Sequence, residues 1–412
     1  IAPNVIATVE HNRTQNASFA ERVVGNDHAI NYSGIDIRYS SVFRLAPIQD
    51  NGTYYDYMLQ RQSKIVTDAA YNPLTGQYDV KAFEGEYLYH SGGGTMCLTH
   101  GGTSHDYYCS GYQYITGGMM TITGTTYNDA NGNDSVISDA QYATGRGADE
   151  GNPLPNGIQG GDSGSPIFVY NSQTKQYEYV AAMQSGSTNV YGEGGRGWNQ
   201  ARVNVKWTHE ALNSFNASVG MGADRTEVHL NAVTMEGETK TDNHGNSGTI
   251  YSGVVTDAAG NEIVSYNGVL SGLNTWNRLN DLKDTQNWYA YDSDAYLQRG
   301  DTELFFNNNL VFSSSAAENT IVLNDTVDLG IGYAEFAGGK FSIVSEMKTE
   351  EGQQVSEGNL FNHAGYVIHE GAEVHLKLVN PEEYMTEWRK TGAGALYIDG
   401  SGNTNALLNV GG

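Results

Sequence analysis

The stretch Gly160-Gly161-Asp162-Ser163-Gly164-Ser165-Pro166-Ile167-Phe168-Val169-Tyr170 joins a glycine-bounded turn to a run of strand-forming residues. Branched and aromatic side chains suit a pleated, half-buried surface, so Ile167 to Tyr170 is predicted to be a strand. The glycines permit a tight turn ahead of it. Such a turn exposes a serine hydroxyl and aims nearby backbone N–H groups at one point, which acyl transfer by a serine requires. Ser163 is therefore the candidate nucleophile, and the N–H groups of Gly161 and Ser163 are the candidate oxyanion donors. The competing reading is a Gly/Ser loop with an Asx turn at Asp162. The length of the heptapeptide and its place just before a strand favour the catalytic one.

Working outward, residues from Asn4 to about Ser214 alternate short β-type runs, such as Asn4-Val5-Ile6-Ala7-Thr8-Val9, with turn clusters, as in a barrel or sandwich. With Gly at 51 and Tyr at 28 against only 7 Pro, the chain reads as turn-rich and all-β. Helical periodicity is rare. It is clearest at Val205-Lys206-Trp207-Thr208-His209-Glu210-Ala211-Leu212, where a helix could close the domain, and a boundary is predicted near residues 214–222.

Beyond the boundary, short runs recur at a loose spacing of about 20 residues. They include Leu304-Phe305-Phe306, Thr320-Ile321-Val322-Leu323, Phe341-Ser342-Ile343-Val344 and Gly365-Tyr366-Val367-Ile368. This predicts a solenoid of stacked β rungs, each covering the apolar face of its neighbour. The last runs, to Ala406-Leu407-Leu408-Asn409-Val410, stop in mid-pattern.

Lys and Arg total 22 against 47 Asp and Glu, a formal charge of -25, which repels phosphate backbones and anionic lipid surfaces and argues against nucleic acid or membrane contact. The first residues, Ile1-Ala2-Pro3-Asn4, lack the features of a signal peptide, so an exported chain would have lost one. Cys97 and Cys109 flank a Gly/Ser/Tyr loop and are expected to form a local disulfide in an oxidising compartment. A zinc site built with His100 and His105 is the lesser alternative, because the spacing fits no familiar metal template.

A serine alcohol needs a base, commonly an imidazole oriented by a carboxylate. Of the 11 histidines, His11 directly follows an apolar β run, the position from which a base can face a distant serine. His28, His90, His100 and His105 sit in polar, turn-rich surroundings and read as solvated loop residues. For the acid, Asp27, Asp36, Asp50, Asp56 and Asp68 all lie between base and nucleophile, and composition does not choose among them. Asp56 has a modest advantage, because the apolar run through Ile65-Val66 could bury its carboxylate.

These residues resemble those of the serine protease autotransporters of Gram-negative bacteria, the group that includes the immunoglobulin-A proteases. The resemblance rests on Val9-Glu10-His11-Asn12, on Asp56-Tyr57-Met58-Leu59-Gln60-Arg61-Gln62-Ser63-Lys64-Ile65-Val66-Thr67, and on Gly161-Asp162-Ser163-Gly164-Ser165-Pro166. It continues through 186–197, 365–379 and 390–398. Glu10 departs from the small residue the family usually has before its histidine. The resemblance implies a chymotrypsin-like double β-barrel protease domain over 1–218, with its N-terminal strands missing, followed by the start of a right-handed parallel β-helix over 219–412. It implies a catalytic set of His11, Asp56 and Ser163, no cofactor and no metal. The expected substrate pocket is formed by Gly157, Gln184, Ser185 and Gly186, where no carboxylate favours Arg or Lys.

The expected function is that of a secreted serine endopeptidase cleaving extracellular host proteins of mucin, immunoglobulin or cytoskeletal type. The chain is expected to be monomeric and exported through the periplasm, from a precursor that also carries an outer-membrane barrel. The alternative is an adhesin or host-surface scaffold that presents the solenoid face or the Cys97 to Cys109 loop. A polysaccharide lyase on the same solenoid type lacks an evident cluster of basic and acidic residues for its chemistry.

Overall fold

A computed structural model of the chain describes residues 1–12, 16–19, 21–24, 30–33, 38–47, 55–83, 86–92, 116–128, 134–140, 161–187, 197–230, 238–241, 247–270, 277–278, 288–290, 309–324, 326–329, 332–356, 359–361, 364–378, 387–398 and 407–410. Among these, strands dominate and one α-helix occurs, in keeping with the all-β expectation. The chain forms two compact units. The first comprises Ile1–Arg38, Arg44–Gln60 and Tyr71–Glu210, and the second Tyr39–Phe43, Arg61–Ala70 and Ala211–Gly412.

Six strands of the first unit close into a barrel in the order Pro166–Asn171, Gln176–Ser187, Gly197–Val203, Asp134–Ala140, Thr116–Asn128 and Tyr87–Gly92. Every pairing is antiparallel. The predicted strand Ile167 to Tyr170 is thus a barrel stave. Its partner register puts Ile167 opposite His90 and Ala181. Side chains alternate across a strand, and Leu88, Ile167, Val180, Met183, Ala201 and Val203 supply the buried side. The helix Val205–Ser214 follows at once. Asn204 caps it, with Oδ1 accepting the Trp207 N–H at 2.9 Å, which satisfies one of the donors a helix start leaves over.

The second unit is built on two ladders of parallel strands. One runs Asn216–Met221, Asn309–Ser314, Ala334–Ala337, Tyr366–Ile368, Glu387–Thr391 and Leu407–Val410, and the other contains Glu227–Leu230, Glu318–Leu323, Lys340–Ser345, Glu373–Lys377 and Ala395–Ile398. Register stacks like on like. Val228 pairs with Ile321, Ile321 with Ile343 and Ile343 with Leu376, while Phe312 pairs with Phe336 and their rings lie 5.1 Å apart, nearly parallel. Phe312, Phe336 and Phe341 are all buried in one core, and burial of each such side chain contributes about 1.5–3 kcal/mol.

The runs at Thr320, Phe341 and Gly365 fall on these ladders, and the run at Leu304 lies outside the described residues. The steps between stacked strands are uneven. Asn309 bonds back to Asn216 across 93 positions and forward to Tyr333 across 24. The long step contains the antiparallel pair Ser247–Asp257 and Glu262–Leu270, and a later step contains the hairpin Met347–Glu350 with Gln353–Ser356.

The segment Arg61–Ala70 belongs to this second unit, with Arg61, Gln62 and Ile65 buried. Arg61 Nη2 donates to Asn309 Oδ1 at 2.6 Å, and its guanidinium lies 4.6 Å from the Phe215 ring centre. Arg389, buried as deeply, donates to Tyr39 Oη and Thr67 Oγ1, each at 3.1 Å. Ile65 packs with Tyr333, Ala364 and Val367, and its N–H donates to Ala364 O at 2.8 Å. Gly365 sits in the middle of this packing with φ +117, where a Cβ would meet Ile65 Cδ1 at 2.7 Å and Arg389 Cβ and O at 2.9 Å.

Gly365→Ala therefore combines a disfavoured backbone with an overlap that includes main-chain oxygen, and should cost about 2–4 kcal/mol. For a unit of this size that lowers the melting midpoint by about 5–10 °C. A midpoint within about a degree of wild type by calorimetry would contradict the packing described.

Candidate active site

Asp56 lies at the centre of a three-residue turn, in which the Tyr57 N–H donates to Tyr55 O at 2.7 Å, just before strand Met58–Gln62. The two flanking tyrosines are buried and anchor the turn. Tyr55 packs under the Arg202 guanidinium at 4.9 Å, and Tyr57 bonds Thr208 Oγ1 at 3.1 Å and meets the Trp207 ring edge-on. Burial pushes the Tyr57 hydroxyl pKa up to about 12, so it stays a protonated anchor.

His11 sits in the turn closed by the Asn12 N–H donating to Val9 O at 3.2 Å, just past strand Val5–Thr8. Its backbone N–H donates to Asp56 Oδ1 at 3.1 Å. Its ring Nδ1 lies 3.0 Å from Asp56 Oδ1 and 2.9 Å from Oδ2. An ionised carboxylate only accepts, so the contact selects the Nδ1–H form and leaves Nε2 as the basic nitrogen of a neutral ring. The His11 side chain is 48% exposed and that of Asp56 22%, so the pair stands where a substrate could reach it.

Ser163 lies in the turn between Gly161, with φ +99, and Gly164, with φ +84. Both conformations favour glycine, and at Gly164 a Cβ would also overlap Thr8 Oγ1 and approach Asn12 Nδ2 to 3.3 Å. The Gly164 N–H donates to Met183 O at 2.7 Å, and the Met183 N–H to Ser165 O at 2.9 Å. Asn12, the residue after His11, donates through Nδ2 to the Ser163 carbonyl at 2.8 Å. Histidine turn, aspartate turn and serine turn are thereby tied together although they are far apart in the chain.

Of the predicted pocket, Gln184 is the extra residue of a β-bulge between Met183 and Ser185. Bulges re-aim backbone groups, and here the Gln184 carbonyl lies 3.5 Å from Ser163 Oγ, at the long limit of a hydrogen bond. Ser185 and Gly186 continue the same strand, Gln176–Ser187. Gly157, Cys97 and Cys109 lie outside the described residues, as do Asp27, Asp36 and Asp50. Asp68 belongs to the second unit, where Oδ2 accepts from Tyr39 Oη at 3.0 Å.

Two expectations are corrected. The Asp56 carboxylate is only partly buried, its side chain being 22% exposed, and Ile65 packs with Tyr333, Ala364 and Val367 in the second unit. His90 is not a solvated loop residue. It sits on strand Tyr87–Gly92, is 4% exposed, and bonds Ser165 Oγ through Nε2 at 2.6 Å. Its inward position was legible in the alternation of Leu88 and His90 on one face. No local signal marked Asn12.

A glycine-bounded serine whose carbonyl is gripped by the residue after a carboxylate-held histidine, in a chain that continues into stacked parallel strands, has the make-up of a serine-type peptidase joined to a strand array. Residues 1–206 match the family model described as immunoglobulin A1 protease, and the chain belongs to that peptidase family. It is 31% identical over 142 residues to the adhesion and penetration protein autotransporter of Haemophilus influenzae, a match covering 32% of this chain and 9% of that protein. It is 29% identical over 171 residues to the serine protease EatA of Escherichia coli, covering 36% of this chain and 10% of the relative.

Among solved structures, that of the Haemophilus influenzae Hap adhesin superposes with a TM-score of 0.64 at 18% identity, covering 99% of this chain and 38% of the other. The passenger domain of plasmid encoded toxin from enteroaggregative Escherichia coli superposes with a TM-score of 0.51 at 16% identity, covering 100% and 33%. The chain thus spans well under half the length of the proteins it is compared with. Autotransporter passengers are secreted or displayed at the surface by Gram-negative bacteria, and this chain shares that location.

Proposed function

We propose that the chain carries a secreted serine endopeptidase acting through an acyl-enzyme. Ser163 Oγ attacks the scissile carbonyl, His11 Nε2 takes the proton and returns it to the leaving amine, and Asp56 holds the imidazole tautomer. The N–H groups of Gly161 and Ser163 stabilise the oxyanion. The observation that carries this reading is the Asp56 carboxylate accepting both the backbone and the ring N–H of His11, beside a serine turn that Asn12 grips.

In this reading the peptidase domain, residues 1–218, is chymotrypsin-like, and residues 219–412 begin a right-handed parallel β-helix that holds the catalytic head away from the cell. Gly157, Gln184, Ser185 and Gly186 line the primary pocket, and Cys97 pairs with Cys109. Substrates are extracellular host proteins, and the chain acts as a monomer. A second reading, a host-surface adhesin, draws on the Haemophilus influenzae relative whose name speaks of adhesion and penetration. Exposure to a fluorophosphonate probe followed by peptide mapping separates the two. The peptidase takes the label at Ser163, while a catalytically dead scaffold stays unlabelled there and would end the first reading.

A further inference from the structure

A chain of hydrogen bonds runs from the barrel wall into the peptide unit that bears one of the proposed oxyanion donors. His90 Nε2 lies 2.6 Å from Ser165 Oγ. Ser165 Oγ donates to the Asp162 carbonyl at 2.5 Å, and the Ser165 N–H donates to the same oxygen at 2.9 Å. A hydroxyl has one proton. Because that proton goes to Asp162 O, the Ser165 oxygen accepts from His90, and the ring proton is on Nε2. Burial holds the His90 pKa below its ordinary value, against the opposing pull of the Asp162 carboxylate, and the Nε2–H donor serves this contact in the neutral ring as well as in the charged one.

The Asp162 C=O and the Ser163 N–H are two ends of one planar peptide unit. Two donors on the carbonyl oxygen fix the plane of that unit, and with it the direction of the N–H. They also polarise the amide, which strengthens the N–H as a donor. The far side of the turn is held separately, by the Gly164 N–H on Met183 O and the Met183 N–H on Ser165 O. Losing the His90 contact therefore loosens the Asp162–Ser163 peptide while leaving the turn in place.

We propose that His90 is a positioning residue for acyl transfer: through the Ser165 hydroxyl it aims and polarises the Asp162–Ser163 peptide, whose N–H stabilises the oxyanion. This rests on the peptidase reading given above.

The test uses the full chain and a fluorophosphonate. Its reaction forms a bond from Ser163 Oγ to phosphorus, expels fluoride, passes the serine proton to His11 and leaves a phosphonyl oxygen facing the oxyanion donors. Limiting inactivation rate and half-saturating probe concentration are measured with the melting midpoint. His90→Leu should lower the limiting rate about tenfold, less than the loss of a whole oxyanion donor, with half-saturation within about twofold of wild type. His90→Gln, whose side-chain N–H can reach the same oxygen, should stay within about threefold of wild type. Ser165→Ala should fall as far as His90→Leu, and the double variant no further than either single one, because both break one path.

Ser165→Ala removes only a hydroxyl and keeps the test sound if His90→Leu folds poorly. Wild-type rates in His90→Leu or Ser165→Ala, additive losses in the double variant, or a Gln variant as slow as the Leu variant would each overturn the proposal. Failure of the peptidase reading looks different: wild-type protein would take no probe, or Ser163→Ala would take it equally, and the inference would fall with that reading.

Discussion

Replacing Ser163 with alanine is expected to lower peptide hydrolysis by about a millionfold, to the level left by binding and the oxyanion donors alone. The chain should remain folded. Among the described residues Ser163 Oγ makes one long contact, 3.5 Å to the Gln184 carbonyl, so removing the hydroxyl gives up little native-state bonding there. The turn itself is held by backbone bonds at Gly164, Ser165 and Met183 and by Asn12 on the Ser163 carbonyl, none of which needs the side chain. Hydrolysis of a general protein substrate and the melting midpoint, measured on one preparation, separate loss of chemistry from loss of fold. Undiminished cleavage by the variant would remove Ser163 from the mechanism.

The features readable in the sequence were those that local chemistry dictates. The serine turn was legible because its glycines are demanded by positive φ at Gly161 and Gly164. The helix from Val205 was legible from its periodicity, and the rungs at Thr320 and Phe341 from the recurrence of short branched and aromatic runs, which become Glu318–Leu323 and Lys340–Ser345. What escaped depends on distant partners. Nothing local says that Arg61 to Ala70 serves the second unit, because its partners Asn309, Ala364 and Arg389 arrive more than two hundred positions later. The 93-position step from Asn216 to Asn309 was hidden for the same reason, since inserted strands look like rungs until their antiparallel pairing is seen. His90 was misread because a polar residue among turn formers looks solvated. The one sequence hint that it faces inward is its alternation with Leu88, and the barrel register, with Ile167 opposite it, bears that out.

The choice among the aspartates yields the second large effect. Asp56→Asn keeps shape and volume but replaces one acceptor oxygen by an N–H donor. The asparagine can still accept the His11 backbone N–H through Oδ1, as Asp56 does now at 3.1 Å. Its amide group then faces ring Nδ1, which must turn from donor to acceptor. The ring proton moves to Nε2, the nitrogen that has to receive the serine proton, so kcat should fall by about 10⁴-fold. KM should change little, because the exchange is confined to the Nδ1 edge of the ring, opposite the Nε2 that serves the reaction. Asp68→Asn is the control: its carboxylate accepts from Tyr39 Oη within the second unit, and its loss should leave kcat at the wild-type value. Equal activity in Asp56→Asn and Asp68→Asn would show that the carboxylate touching His11 at 2.9 Å does not govern its tautomer, and the base would have to be sought elsewhere.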